Sequence, residues 1–134
     1  MTRALLLLPA ALLAIGGAMH LSAFHKAADA AAASNLSAFF GNSLKALWVM
    51  DSCGMFVLSA VCLTLAAQPQ AASRTIIALL SLVPLSTAAL LYVFIGNFFA
   101  AHMLTVAGLS LAAAAFRQAT TRRSRRAIQP FAMR

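Results

Sequence analysis

Two histidines and one aspartate interrupt the long apolar segments of this sequence: His20, Asp51 and His102. Asp51 is the only acidic residue within such a segment. A charged side chain at mid-membrane costs at least about 2.5 kcal/mol, so Asp51 requires a partner or a bound proton. All three residues are predicted in the outer third of the membrane. We therefore predict that Asp51 faces the protein interior, within hydrogen-bond or one-water reach of His20 or His102.

Two imidazoles and one carboxylate at one depth are suited to several kinds of chemistry. His20, Asp51 and His102 together could bind a transition metal such as copper, or relay protons. His20 and His102 alone could bind haem as a cofactor through one imidazole from each of two helices, with Lys26 or Lys45 near its propionates. A hydrogen-bonded cluster that only packs the helices is the other alternative. The sequence leaves these alternatives open.

A second group of candidate residues lies at the predicted outer end of the helices. Lys45 and Trp48 stand at the entry of the second apolar segment. Aromatic residues recur at the same level in the later segments: Tyr92, Phe94, Phe98 and Phe99. Belts of aromatic and basic side chains anchor proteins at the membrane interface. A pocket for a quinone or a lipid headgroup is the more specific alternative.

The sequence contains no recognised catalytic motif. A carboxylate pair, a useful Ser-His spacing and a His-Glu-x-x-His metalloprotease signature are all missing from it. Cys53 and Cys62 lie in one predicted helix, about 13 Å apart along its axis, so they cannot form a disulfide with each other. These patterns favour a protein without catalytic activity of its own.

Composition indicates the environment of the chain. Of its 134 residues, 63% are hydrophobic and only 9% are charged. Soluble domains contain about 25% charged residues, so the outer surface of this protein must be apolar and face lipid. Four apolar segments each have the length of a transmembrane helix: residues 4–24, 43–67, 75–95 and 98–116. The sequence predicts an all-α membrane protein, a four-transmembrane-helix antiparallel bundle within residues 1–116.

The connections refine this architecture. Residues 25–42 are predicted to lie at the membrane interface, partly as helix, and Ser73 is placed to cap the third helix. Gly96-Asn97 is so short that the third and fourth helices must be antiparallel neighbours. The first segment follows a short basic start, as in a signal peptide, but it is long enough to span the membrane. We interpret it as a retained helix.

Basic residues are concentrated at the C-terminus. Six of the ten Lys and Arg residues lie within residues 117–134, which we predict to form a cytoplasmic tail. Positive charge near helix ends stays in the cytoplasm, so Arg3, Arg74 and the tail predict that both termini are cytoplasmic in a bacterial-type inner membrane. The tail residues Arg122, Arg123, Arg125 and Arg126 are expected to contact anionic lipid headgroups or a partner, and nucleic acid is not expected.

Three functions are compatible with these observations. The first is an accessory or assembly subunit of a larger inner-membrane complex, which would pack against other membrane protein subunits. The second is a haem- or metal-binding redox protein that uses His20, Asp51 and His102. The third is a small transporter that works as an oligomer.

Overall fold

A computed structural model describes residues 2–68, 71 and 73–128 of the chain, and every regular element in these ranges is an α-helix. The helices are α1 (Thr2–Ser22), α2 (Phe24–Ala32), α3 (Ala38–Ala67), α4 (Arg74–Phe94) and α5 (Phe99–Ile128).

Four of these helices are long and apolar enough to cross a membrane, as the sequence predicts. They are α1, α3, α4 and the part of α5 from Phe99 to Gln118. Between 22% and 39% of each apolar stretch is buried inside the protein. Many of the remaining apolar side chains are exposed, which is the surface expected of a helix in contact with lipid.

The long helices pack in the order α3, α1, α5, α4. In the described part of the chain, α1 packs extensively against both α3 and α5, whereas α4 packs extensively only against α5. The buried core therefore lies along the contacts of α1 with α3 and α5 and along the α4–α5 contact. Its largest members include Leu13, Ile77 and Leu111. Pro9 and Pro84, which lie within α1 and α4, are also fully buried.

Three contacts fix α1 antiparallel to α3. At one end the Arg3 Nε donates to the Ala66 carbonyl over 3.1 Å, and in the middle the Ser59 hydroxyl donates to the Ala10 carbonyl over 2.7 Å. Near the other end, a Cβ on Gly17 would lie 3.3 Å from the Ser52 carbonyl oxygen. Glycine thus permits the close helix approach that small residues allow in membranes.

This register leaves the first part of α3 without α1 beside it. Continuing the pairing outward places Leu47 opposite Ser22, the last residue of α1. Residues 38–46 therefore extend about 13 Å past the end of α1. The short helix α2 packs against α3. Interfacial helix was predicted in this region, but α3 begins at Ala38 and not at residue 43. Ser37, with φ −61° and ψ 155°, supplies the extended residue that precedes the helix.

The α4–α5 pair is also antiparallel and tightly packed. A Cβ on Gly108 would lie 2.5 Å from Leu85 Cγ and 3.2 Å from the Ser81 carbonyl oxygen. Ser73 caps α4, as predicted, by accepting a hydrogen bond from the Ile76 amide. The helical backbone of α5 continues to Ile128, through the first part of the predicted tail.

Candidate functional site

Four residues from α1 and α3 form one polar group at the end of the α1–α3 contact, and we call it the His20 cluster: His20, Trp48, Asp51 and Ser52. The His20 Nδ1 lies 2.9 Å from the Ser52 hydroxyl, and its Nε2 lies 3.8 Å from Asp51 Oδ2. The imidazole stacks on the Trp48 indole with ring centroids 4.1 Å apart. The Trp48 Nε1 donates to the His20 carbonyl over 2.7 Å, which satisfies an acceptor in the last turn of α1.

The local helix geometry explains why these residues meet. Trp48 and Ser52 are four residues apart on α3, so they share the face that packs against α1. Ser52 is fully buried, and its hydroxyl also lies 3.2 Å from the Trp48 carbonyl. His20 reaches this face from the last turn of α1.

The hydrogen bonds of the cluster accommodate two protonation states of His20. When the Ser52 hydroxyl donates to the Trp48 carbonyl, it accepts from Nδ1–H, and a second proton on Nε2 points to Asp51. When His20 is neutral, the hydroxyl can rotate and donate to Nδ1, which leaves the single ring proton on Nε2. The charged His20 imidazole is therefore paired with the Asp51 carboxylate. In the neutral imidazole, Nδ1 is bonded to the Ser52 hydroxyl and Nε2 faces Asp51.

The prediction that Asp51 faces the interior is wrong. Its side chain is 47% exposed, and the neighbouring Ser52 occupies the buried position instead. The physical reason is depth: Leu47 is level with the C-terminal end of α1, so Asp51 lies only about one turn from that end. A carboxylate there can reach polar surroundings and need not be buried. The structure does bring Asp51 beside His20.

His102 belongs to a different group. Its Nδ1 lies 2.6 Å from the Tyr92 hydroxyl, and its Nε2 lies 2.6 Å from Asn97 Oδ1. The amide oxygen accepts from Nε2–H, so in the neutral ring Nδ1 accepts from the Tyr92 hydroxyl. Both nitrogens are thus occupied, and neither is presented to a haem iron or a metal. The structure does not join His102 to His20 and Asp51 in one site.

Within the described residues, no group of three or more His, Cys, Asp or Glu side chains is placed to hold a metal ion. Cys53 is exposed and Cys62 is buried, and neither is in a disulfide. The roles of Ser52 and Tyr92 were not predicted from the sequence. The role of Tyr92 could have been inferred from the short Gly96-Asn97 connection, because an antiparallel α4–α5 pair places Tyr92 opposite the first turn of α5.

An apolar cleft opens beside the His20 cluster. It has a volume of about 450 Å³ and is lined by α1, α3, the first half of α5 and the connection before α5. Because α1 packs between α3 and α5, it forms the floor of the cleft. The lining includes three methionines and two phenylalanines: Met19, Met55, Met103, Phe98 and Phe99. Among the described residues, His20 and Trp48 supply the polar side-chain groups of the lining.

Lys45 lines a separate cavity of about 360 Å³ between α2 and α3, and Trp48 contributes to both cavities. The side chains of Arg122, Arg123, Arg125 and Arg126 lie outside the described part of the chain. Comparison with protein-family models, with curated proteins and with solved structures gives no match.

Proposed function

We propose that this chain is a multi-pass inner-membrane protein that binds an amphiphilic ligand in the cleft between α3 and α5. The polar head of the ligand would lie at the His20 cluster, and its apolar part would lie in the cleft. The observation that carries the proposal is an apolar cleft of about 450 Å³ with polar side chains confined to one end.

The dimensions and lining of the cleft support this proposal. Ligand sites in proteins have volumes of about 300–1,000 Å³, are mostly apolar and contain a few polar groups that orient the ligand. His20 and Trp48 supply such groups here, and methionine side chains adapt to ligands of varied shape. Met55 lies one turn deeper on α3 than Asp51, so the carboxylate is on the same side of α3 as the cleft.

The proposed orientation follows from charge. We infer an antiparallel four-helix arrangement with both termini in the cytoplasm, because Arg3, Arg74 and the C-terminal arginines are at the inner end of this arrangement. The contact between Arg3 and the Ala66 carbonyl supports a common end for the start of α1 and the end of α3. The His20 cluster would then lie near the outer, periplasmic surface.

Trp48 provides the test, because it is the only tryptophan of the chain. The experiment titrates amphiphiles with neutral, anionic or cationic heads into the purified protein while Trp48 fluorescence is recorded. At least one class should give a saturable change. Ala100→Phe should abolish that change, because Ala100 lines the cleft. Ala113→Phe, an exposed position on the same helix, is the control.

Two results would contradict the proposal: no saturable signal with any head class, or equal loss of binding in the Ala100→Phe and Ala113→Phe variants. Size-exclusion chromatography of both variants separates a filled cleft from a misfolded protein.

A second candidate, an accessory or assembly subunit of a larger complex, is favoured by the exposed surface of α4. Only 22% of its apolar stretch is buried, and Leu79, Leu82 and Leu90 are more than half exposed. Photo-crosslinking from Leu79 and Leu90 in native membranes tests this function. A discrete protein adduct would support a partner subunit, and adducts with lipid alone would contradict it.

A further inference from the structure

We propose that the ligand of the cleft is a lipophilic cation, which competes with the proton of His20 for the Asp51 carboxylate. This inference rests on the proposed function, since it assigns the chemical class of the molecule that the cleft binds.

The distribution of charge carries the first step. No Lys or Arg side chain lines the cleft in the described part of the chain, whereas Asp51 is next to His20 at its polar end. The nearest basic residue along α3, Lys45, is six residues from Asp51, or about 9 Å along the helix axis. It lines the cavity between α2 and α3. An anionic head such as a phosphate would therefore meet a carboxylate and no Lys or Arg side chain.

The aromatic residues carry the second step. Trp48, Phe98 and Phe99 line the cleft, and the faces of aromatic rings attract cations. One face of the Trp48 indole is already stacked on the His20 imidazole, at an interplanar angle of 12°. A ligand cation at this end would have aromatic surface around it and a carboxylate beside it. That combination favours an organic cation with apolar substituents over a small hydrated ion.

The pairing of His20 with Asp51 carries the third step. The carboxylate is 47% exposed and has His20 as its ion-pair partner at 3.8 Å. Protonated His20 satisfies Asp51, whereas neutral His20 leaves the negative charge for a ligand cation. A charged His20 and a ligand cation therefore compete for the same carboxylate.

Other groups that titrate or carry charge near this end come from the helices around His20. On α2, His25, Lys26 and Asp29 are exposed. On α3, Lys45 lines the other cavity and Cys53 is exposed, and on α5 His102 is bonded to Tyr92 and Asn97. A His20→Gln variant therefore isolates the contribution of His20.

The experiment compares two ions of the same shape and opposite charge, tetraphenylphosphonium and tetraphenylborate, by Trp48 fluorescence of the full-length protein. We expect saturable binding of tetraphenylphosphonium and none of tetraphenylborate. Asp51→Asn should weaken phosphonium binding about tenfold, and Asp51→Glu should retain it. Asp29→Asn is the matched control, because Asp29 is the only other acidic residue of the chain. His20→Gln should bind phosphonium at least as tightly as the parent, because the competing charge next to Asp51 is removed.

Equal affinity for the two ions, or unchanged phosphonium binding by Asp51→Asn, would overturn the assignment of a cation. Suppose that a neutral amphiphile binds, that Ala100→Phe abolishes this binding, and that phosphonium does not bind. The proposed cleft site then stands, and only the assignment of a cation is wrong. Absence of saturable binding for every head class would overturn both proposals.

Discussion

Ser52 connects the two helices of the His20 cluster. It is fully buried at the α1–α3 contact, where its hydroxyl bonds to the His20 ring and lies within reach of the Trp48 carbonyl. In lipid, a buried polar group has no water to replace a lost partner. The position of the His20 imidazole therefore depends on a hydroxyl at residue 52.

Replacement of Ser52 by alanine should destabilise the protein by about 1 kcal/mol, because the hydrogen bond between α1 and α3 is lost. Ser43→Ala is the control: Ser43 is on the same helix and bonds only to the Phe39 carbonyl of its own turn. The free energy of unfolding of both variants is measured by titration with sodium dodecyl sulfate while Trp48 fluorescence is recorded. Equal destabilisation by the two variants would show that the bond to His20 contributes nothing.

Asp51 shows where inference from the sequence failed. The cost of burying a charge identified Asp51 as a residue that requires a partner, and His20 is that partner. The same argument placed Asp51 inside the protein, because depth was counted along α3 alone. Depth depends on the register between α1 and α3, which is set by contacts such as that of Ser59 with the Ala10 carbonyl. No pattern within one helix encodes that register.

At the level of the helices, glycine determines how closely α4 and α5 approach. Gly108→Ala should destabilise the protein by about 1–3 kcal/mol, because its Cβ would lie 2.5 Å from Leu85 Cγ and 3.2 Å from a backbone oxygen of Ser81. Gly54→Ala is the control, since no atom lies within 4 Å of its added Cβ. Thermal unfolding in mild detergent should separate the two variants. Similar stabilities would mean that α4 and α5 adjust without cost.

The four long helices could be predicted from the sequence, because a long apolar segment without charge can adopt few structures in lipid. Helix ends were less predictable. The apolar segment predicted a start at residue 43, but α3 begins at Ala38. The short Gly96-Asn97 connection predicted the α4–α5 pair. The position of α1 between α3 and α5 could not be read from the sequence, because lipid-facing and protein-facing sides are both apolar.

For the whole molecule, we expect both termini in the cytoplasm. Cysteines introduced at residue 29 and at residue 71, in a variant without Cys53 and Cys62, should react differently with a membrane-impermeant reagent added to intact cells. Residue 29 should be labelled, and residue 71 should be protected, because the basic residues fall on the side of residue 71. The reverse pattern would overturn the orientation.

The basic tail should attract anionic lipid. Replacement of Arg122, Arg123, Arg125 and Arg126 by alanine should weaken association of the tail with vesicles that contain phosphatidylserine, at about 1 kcal/mol for each charge. Replacement of the same four residues by lysine retains the charge and should retain binding. The measurement uses a peptide of residues 117–134 in low and high salt. If the alanine and lysine peptides bind equally, charge is not the cause.

The position of α1 between α3 and α5 has a consequence for biosynthesis. Of the five described helices the ribosome makes α1 first, yet one of its two long neighbours, α5, is made after the other four. Until then α1 can pack only with α3, and its other side stays in lipid, which solvates leucine as well as a protein neighbour does. The α1–α3 and α4–α5 pairs can each form as they emerge. Their joining through α1 and α5 must then be the last step of assembly, and it depends on complete translation of α5.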